Sequence, residues 1–393
     1  MQHRILSTII AAAFCMVAGA QETCTINGNI ADTRMADGSK VKKVTLMRTD
    51  EFGHSVEVAT AKVKRGSYTF EHTLAKDEPT MQYNITGFGE GKSISLFVEA
   101  GVVNIHTAQA TLPEQSTVLG TATNDTYAEY QAIRAAEQRR VDEEVATLQA
   151  AKGAAWLETA DGKSELKRIK AKEAINAKAQ MVRFLIDHNA SPMTPLEVER
   201  TMLPVLSAAY AEQMTKAIAV SLHEHPYYYS LHNAMLSSTL KANGEAPDIT
   251  LPLYGGEVKH LTDYRGKHVI LNFWSSTCDK SAAMMTTMKS VHEVVKKHAD
   301  QFVIISVALD SDINAWRQAV GSQGIALDGW LHACDGAGTL SPAAKRYKVE
   351  NTPKIVFIEP EGHVVSLDME ADEIVMRIEQ ILSGDLYYLN EEK

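Results

Sequence analysis

The pattern of hydrophobic and polar residues divides the chain into three parts, of which the first has the pattern of a β domain. Between about residues 24 and 108, short apolar runs alternate with turn residues, which predicts a small antiparallel β-sandwich. The predicted strands are 44–47, 57–63, 67–74, 81–85, 94–98 and 102–106. Lys64, Arg65 and Gly66 separate two of these runs, and we expect a hairpin turn there with Gly66 at positive φ.

In the second part, from about residue 123 to 241, hydrophobic residues recur with the longer period that is typical of helices. Helices are predicted over 127–151, 164–188, 194–222 and 227–241. Asn124 and Asp125 are the predicted N-cap of the first helix. The breaks fall at Gly153, Gly162, Pro192 and Pro226. The charged helix faces indicate solvated surface.

After a linker at 243–247, strands and helices alternate to the end of the chain. Strands are predicted at 268–273, 302–309, 354–358 and 364–367. Helices are predicted at 281–299, 313–322, 342–347 and 372–382. This alternation predicts a mainly parallel sheet covered by helices. The expected domains are therefore 21–112 (β-sandwich), 113–242 (all-α) and 243–393 (α/β).

Residues 1–20 have the pattern of a secretory signal peptide. A short basic start precedes an apolar run at 5–17, and Ala18, Gly19 and Ala20 supply the small residues of a cleavage site. No later run approaches the roughly 20 apolar residues of a membrane span. We expect a protein without a membrane span that is located outside the cytoplasm. The net charge of −10 argues against nucleic-acid binding.

One of the four cysteines, Cys15, lies in the predicted signal peptide, which leaves Cys24, Cys278 and Cys334. This odd number predicts at least one free thiol or an intermolecular bridge. Cys278 lies at the junction of a predicted strand and the N-terminus of a predicted helix, where unpaired amides, the helix dipole and the nearby Lys280 favour a thiolate. Ser281 stands where a C-x-x-C motif would have its second sulfur.

The remaining candidates for chemistry are weaker. Cys334 is expected to be a small hydrophobe at a strand end, and Cys24 to have no role. His223, Glu224, His225 and His232 suggest a zinc site, but Pro226 and three tyrosines lie among them and no cysteine is near. A zinc site needs three or four converging ligands. We therefore predict no metal and no cofactor.

Residues 245–383 resemble the thioredoxin-like superfamily, most closely its secreted thiol–disulfide oxidoreductases, which are related to the alkyl hydroperoxide reductase group. The resemblance rests on three segments: 246–252, 271–278 and 351–354. The first two parts of the chain are similar to domains that are often fused ahead of such modules in Gram-negative secreted proteins, which implies a periplasmic or otherwise extracytoplasmic location in a Gram-negative cell envelope. The resemblance implies a thioredoxin-like fold with protein thiols and disulfides as partners.

The resemblance also implies the roles of the site residues. Cys278 would be the nucleophile, and Ser281 would hydrogen-bond its thiolate. Trp274 would form the floor of a substrate-binding surface. Thr352 and a cis Pro353 would hold the substrate backbone.

The sequence departs from the family pattern at several positions. Besides Ser281, Thr277 replaces a second tryptophan, and Leu271 replaces a proline that peroxide-reducing relatives have. Two functions remain open: thiol–disulfide exchange through one cysteine, or a redox-inactive module that binds a partner or ligand. The helical segment is a candidate for self-association.

Overall fold

The computed structural model describes residues 22–50 and 52–386. They form an N-terminal β domain, a central helical segment and a C-terminal mixed α/β domain, which confirms the predicted fold classes. The predicted signal peptide at 1–20 lies outside the described residues.

The β domain consists of two four-stranded sheets that share one core. Its strands are β1 (Thr23–Asp32), β2 (Lys43–Thr49), β3 (Ser55–Lys62), β4 (Ser67–Thr73), β5 (Met81–Thr86), β6 (Ile94–Val98), β7 (Gly101–Gln109) and β8 (Thr117–Leu119). One sheet has the order β4-β1-β7-β8 and the other β3-β2-β5-β6. The core is apolar because inward positions alternate with outward ones along each strand, as at Val44 and Leu46 of β2.

Two features of the β domain differ from the prediction. First, β1 and β7 are parallel, although the other strand pairs of both sheets are antiparallel. Second, the predicted tight turn at Arg65 and Gly66 is confirmed, with Gly66 at φ 84°, but the strands that it joins do not pair with each other further along, because β3 and β4 belong to different sheets. The turn carries the chain from one sheet to the other, and only Lys64 and Ser67 pair across it.

The helical segment begins with two long helices, α1 (Ala122–Lys152) and α2 (Ala160–Asp187), which pack antiparallel against each other. Arg140 pairs with Glu173 at 2.6 Å, and Lys172 pairs with Glu144 at 2.5 Å, so ion pairs join the two helices. The predicted N-cap is wrong: α1 begins after Thr121. Asn124 is instead buried, and its amide bonds the backbone N–H and C=O of Phe97 in β6 at 2.9 and 2.8 Å.

The helix predicted over 194–222 is broken in the structure. Short α3 (Met193–Glu197) continues into a π-helical turn at Val198–Met202, and α4 (Ala208–Ala217) follows only after an irregular stretch. Pro204 lies in that stretch and has no N–H to continue the helical hydrogen bonds. The last helix of the segment is α5 (Pro226–Ser238).

The C-terminal domain is built on a five-stranded mixed sheet. A small hairpin, β9 (Thr250–Pro252) with β10 (Val258–His260), precedes β11 (His268–Trp274), β12 (Phe302–Ala308), β13 (Trp330–Ala333), β14 (Lys354–Ile358) and β15 (Val364–Ser366). The sheet order is β13-β12-β11-β14-β15. The prediction of a mainly parallel sheet is corrected, because β11 and β14 pair antiparallel, as do β14 and β15.

Helices cover both faces of this sheet: α6 (Asp279–Val295), α7 (Ile313–Ser322), α8 (Pro342–Arg346) and α9 (Ala371–Leu382). All seven residues of β11 are buried. Ile270 and Trp274 belong to the core that includes residues of α6, α7 and α9, while Leu271 and Phe273 belong to the core on the α8 side. The central strand can therefore hold its C-terminal end, where Cys278 follows, in a fixed place.

In the described part of the chain, no helix is both long and apolar enough to cross a bilayer.

Candidate functional site

The candidate site is built where β11 ends and α6 begins. After Trp274 the chain makes a short turn, and Cys278 occupies the N-cap position of α6 with φ −102° and ψ 117°. The amide of Cys278 donates to the carbonyl of Ser275 at 3.2 Å, and its own carbonyl accepts from the amide of Ala282 at 3.0 Å. The predicted junction of strand, thiol and helix N-terminus is thus confirmed.

The surroundings of Cys278 stabilise its thiolate and lower the pKa of the thiol. The largest cause is the backbone N–H of Ser281, followed by the Ser281 hydroxyl. Desolvation comes next in size and opposes them, while the Thr352 side chain and the backbone N–H of Lys280 lower the pKa further. These donors belong to the first turn of α6 and to the facing loop, and Cys278 itself is half-exposed.

The loop before β14 faces the sulfur. Sγ of Cys278 donates to the backbone carbonyl of Thr352 at 3.5 Å. The Thr352–Pro353 peptide bond is cis, as predicted, and both residues are half-buried. Ser281 is completely buried, and its hydroxyl also accepts from the amide of Ser275 at 3.3 Å. The structure therefore brings Cys278, Ser281, Thr352 and Pro353 together.

Trp274 is placed differently from the prediction. Its side chain is 0% exposed and belongs to the core that also contains Met285 and Met288. Because its ring has no accessible surface, a substrate cannot contact it, and its assignment to the substrate-binding surface is corrected. Trp274 instead supports the nucleophile turn from within the core.

The other two described cysteines are buried. Cys334 follows β13, as expected for a small hydrophobe at a strand end, and is 4% exposed. Burial raises the pKa of its thiol to about 11. Burial also raises the pKa of Cys24. Both are free thiols, so the described residues provide no second activated sulfur beside Cys278.

The histidines of the candidate zinc site have other partners. His225 contacts the backbone carbonyl of Thr80 through Nε2 at 3.1 Å and accepts from the amide of Tyr227 through Nδ1. The ring of His223 stacks on Tyr228 with the centroids 4.3 Å apart. Across residues 22–50 and 52–386, no group of three or more His, Cys, Asp or Glu side chains could hold a metal ion.

Sequence reasoning missed Asp310, which lies two residues after the end of β12. Its carboxylate accepts from the amide of Ser276 at 3.2 and 3.1 Å and from the Ser276 hydroxyl. One signal could have found it: polar residues at the carboxyl ends of adjacent parallel strands meet at the same edge of a sheet. Asp310 stands in that position relative to the end of β11.

Comparisons with known proteins agree with the fold of the first and last domains. Residues 266–364 match the family model described as thioredoxin-like, and residues 24–127 match a domain of unknown function, DUF4369. The chain therefore has a thioredoxin-like domain, similar to those of ResA-type thiol-disulfide oxidoreductases, behind an N-terminal DUF4369 domain.

Among curated proteins, the thiol-disulfide oxidoreductase ResA of Geobacillus kaustophilus is 33% identical over 95 residues, which are 24% of this chain and 55% of ResA. The thioredoxin-like protein YneN of Bacillus subtilis is 34% identical over 67 residues, 17% of this chain and 38% of YneN. The chain thus spans about half or less of the length of these two relatives.

Among solved structures, a thiol-disulfide oxidoreductase from Bacteroides fragilis is similar at 26% identity and a TM-score of 0.32, with 35% of this chain and 98% of that chain covered.

Proposed function

We propose that this protein is an exported thiol–disulfide exchange protein that acts on protein disulfides through the single nucleophile Cys278. The observation that carries the proposal is the position of its sulfur: half-exposed, at the N-terminus of α6, with a lowered pKa and within 3.5 Å of the Thr352 carbonyl. Similarity to ResA supports the class of reaction. The predicted signal peptide supports a location outside the cytoplasm.

The proposed chemistry needs no resident cofactor. The Cys278 thiolate attacks one sulfur of a substrate disulfide, a mixed disulfide forms, and the other substrate sulfur leaves as a thiolate. A second thiolate of the same substrate then attacks the mixed disulfide and releases Cys278. This cycle rearranges disulfides without net oxidation or reduction, which suits a site with Ser281 in place of a second cysteine.

The surrounding residues have distinct proposed roles. The amide and hydroxyl of Ser281 stabilise the thiolate. The half-buried Thr352 and Pro353 form the surface beside the sulfur where an extended substrate would pair its backbone. Trp274 and the rest of β11 hold this arrangement from the core.

A redox-inactive module that binds a partner or ligand is the second candidate. One observation favours it: Cys334, the other described cysteine of this domain, is buried and has a raised pKa, so no second thiol is ready to resolve a mixed disulfide. In this case the thioredoxin-like domain would serve as a scaffold.

Capture of a disulfide substrate distinguishes the two functions. The mature chain is incubated with scrambled ribonuclease, quenched with N-ethylmaleimide and analysed on a non-reducing gel. We expect a mixed disulfide with the wild type and with a Cys24→Ala/Cys334→Ala variant, because both retain Cys278. Cys278→Ala should form none. If the wild type captures no more than Cys278→Ala, the exchange function is wrong and the binding module is favoured.

Self-association through the helical segment stays a prediction. The described contacts between α1 and α2 include ion pairs within one chain, and sedimentation of the mature protein over a range of concentrations would measure whether chains associate.

A further inference from the structure

The buried carboxylate of Asp310 is bonded to the turn that carries the reactive cysteine. Asp310 is 6% exposed, and both of its oxygens accept from the amide of Ser276, at 3.2 and 3.1 Å. The hydroxyl of Ser276 donates to Oδ1 as well. Loss of the hydrogen bonds to a buried carboxylate costs folding free energy, so these contacts hold Ser276 in place.

This contact ties the turn to a neighbouring strand. Several other hydrogen bonds of the turn run within 275–281, such as Ser275 to Ser281 and Cys278 to Ser275. Asp310 instead follows β12, the parallel neighbour of β11, and the amide of Leu309 donates to the carbonyl of Trp274 at 2.8 Å. The position of Ser276, two residues before Cys278, is therefore set relative to the sheet.

We propose that Asp310 is a positioning residue for Cys278: by holding Ser276, it keeps the sulfur against the first-turn donors of α6 and the Thr352 carbonyl. The inference rests on the proposed exchange function and adds a residue that acts through the turn rather than on the substrate. The groups that most affect the ionisation of Cys278 are hydrogen-bond donors, and Asp310 is not among them.

The direction in which the pKa of Cys278 changes on substitution of Asp310 distinguishes a positioning role from a direct effect of the carboxylate charge. A nearby carboxylate disfavours a thiolate, so loss of its charge alone would lower the pKa of Cys278. Loss of positioning moves the sulfur away from its donors and raises that pKa. Asp310→Ala removes both charge and acceptor, whereas Asp310→Asn removes the charge and keeps one acceptor oxygen for Ser276.

The experiment measures the rate of alkylation of Cys278 by iodoacetamide against pH in the full mature chain, read by mass spectrometry of its peptide. We expect Asp310→Ala to raise the midpoint and to slow alkylation at pH 7 by roughly two- to tenfold, since only the thiolate reacts. Asp310→Asn should lie between it and the wild type. An unchanged or lowered midpoint in Asp310→Ala overturns the proposal.

Asp312 provides a matched control in the same loop. Its carboxylate caps α7 by accepting from the amides of Asn314 and Ala315, and it is exposed. Asp312→Ala should therefore weaken α7 without changing the alkylation midpoint of Cys278. An equal shift in Asp312→Ala would mean that the effect is a general loosening of the loop, and would refute a specific role for Asp310.

Ser276→Ala keeps the proposal testable if Asp310→Ala does not fold. It removes the hydroxyl donor and keeps the amide, so a smaller shift in the same direction is expected, and no shift counts against the proposal. Adding Ser276→Ala to Asp310→Ala should change nothing further, because both act through one contact. If the wild type captures no substrate, the proposed function fails, while these comparisons of thiol ionisation still decide the role of Asp310.

Discussion

The lowered pKa of Cys278 comes from the backbone and hydroxyl groups that surround it rather than from a neighbouring charge. The sequence predicts help from Lys280, and the structure shows that its amide contributes, after the amide and hydroxyl of Ser281. Ser281, at the position where a C-x-x-C motif would have its second sulfur, is therefore the main source of the lowered pKa of Cys278. A lowered thiol pKa does not require a second cysteine at this position.

Substitution of Ser281 tests its role in the site. Ser281→Cys places a second thiol beside Cys278, so the pair can form an internal disulfide and release a reduced substrate. We expect reduction of insulin in the presence of dithiothreitol to rise on the order of tenfold over the wild type. Ser281→Ala is the matched control, which loses the hydroxyl and gains no sulfur, and its activity should not rise. Equal activity of Ser281→Cys and Ser281→Ala would contradict the geometry of the site.

At the scale of elements, the sequence predicted helix and strand bounds that depend on neighbouring residues, but not which distant segments pair with each other. The bounds of α7 and β14 agree with the sequence prediction, because Asp312 caps the helix and Pro353 precedes the strand. The turn at Gly66 was predictable, but turn residues specify a reversal and not which sheet each strand joins. Asp310 was missed for the same reason, since its contact with Ser276 spans 34 residues.

One cross-strand contact in the β domain gives a sharp prediction. Gly28 of β1 pairs with Tyr68 of β4, whose ring packs so closely that a Cβ at Gly28 would lie 1.9 Å from it. Tyr68 is buried in the shared core and cannot easily move away. Gly28→Ala should therefore lower the free energy of unfolding of this domain by about 1–3 kcal/mol.

A second glycine serves as the control for Gly28. A Cβ at Gly321 of α7 would meet no atom within 4 Å. Gly321→Ala should leave stability unchanged or raise it by up to about 1 kcal/mol, because alanine favours the helix. Denaturant unfolding of both variants compares the two effects. Equal stability of Gly28→Ala and the wild type would show that the Tyr68 ring can move away from the added methyl group.

In the whole molecule, the helical segment contacts both flanking domains through buried polar side chains. Asn124 bonds the backbone of Phe97 in β6, an edge strand of its sheet. At the other end, the side chain of Asn233 in α5 accepts from the amide of Asp248 at 2.7 Å. The sequence assigned Asn124 to a helix cap, because nothing local shows that an edge strand lies beside it.

The stability of the molecule toward acid should depend on a buried histidine in the thioredoxin-like domain. His332 of β13 is 3% exposed, and its Nε2 lies 2.8 Å from the carbonyl of Ile325. Burial lowers its pKa from an ordinary value of 6.5 to about 4. Between these values the unfolded chain binds a proton that the folded chain does not, so stability is present above pH 6.5 and is lost as the pH falls toward 4.

This linkage corresponds to about 3 kcal/mol of unfolding free energy at full effect. We expect the wild type to lose about that much more than His332→Gln between pH 6.5 and 4, because glutamine takes up no proton. Tryptophan fluorescence can follow the transition, since Trp274, Trp316 and Trp330 all lie in this domain. His106→Gln, at an exposed position on β7, is the control and should follow the wild type. If the unfolding free energies of the wild type and His332→Gln fall equally between pH 6.5 and 4, His332 does not cause this loss of stability.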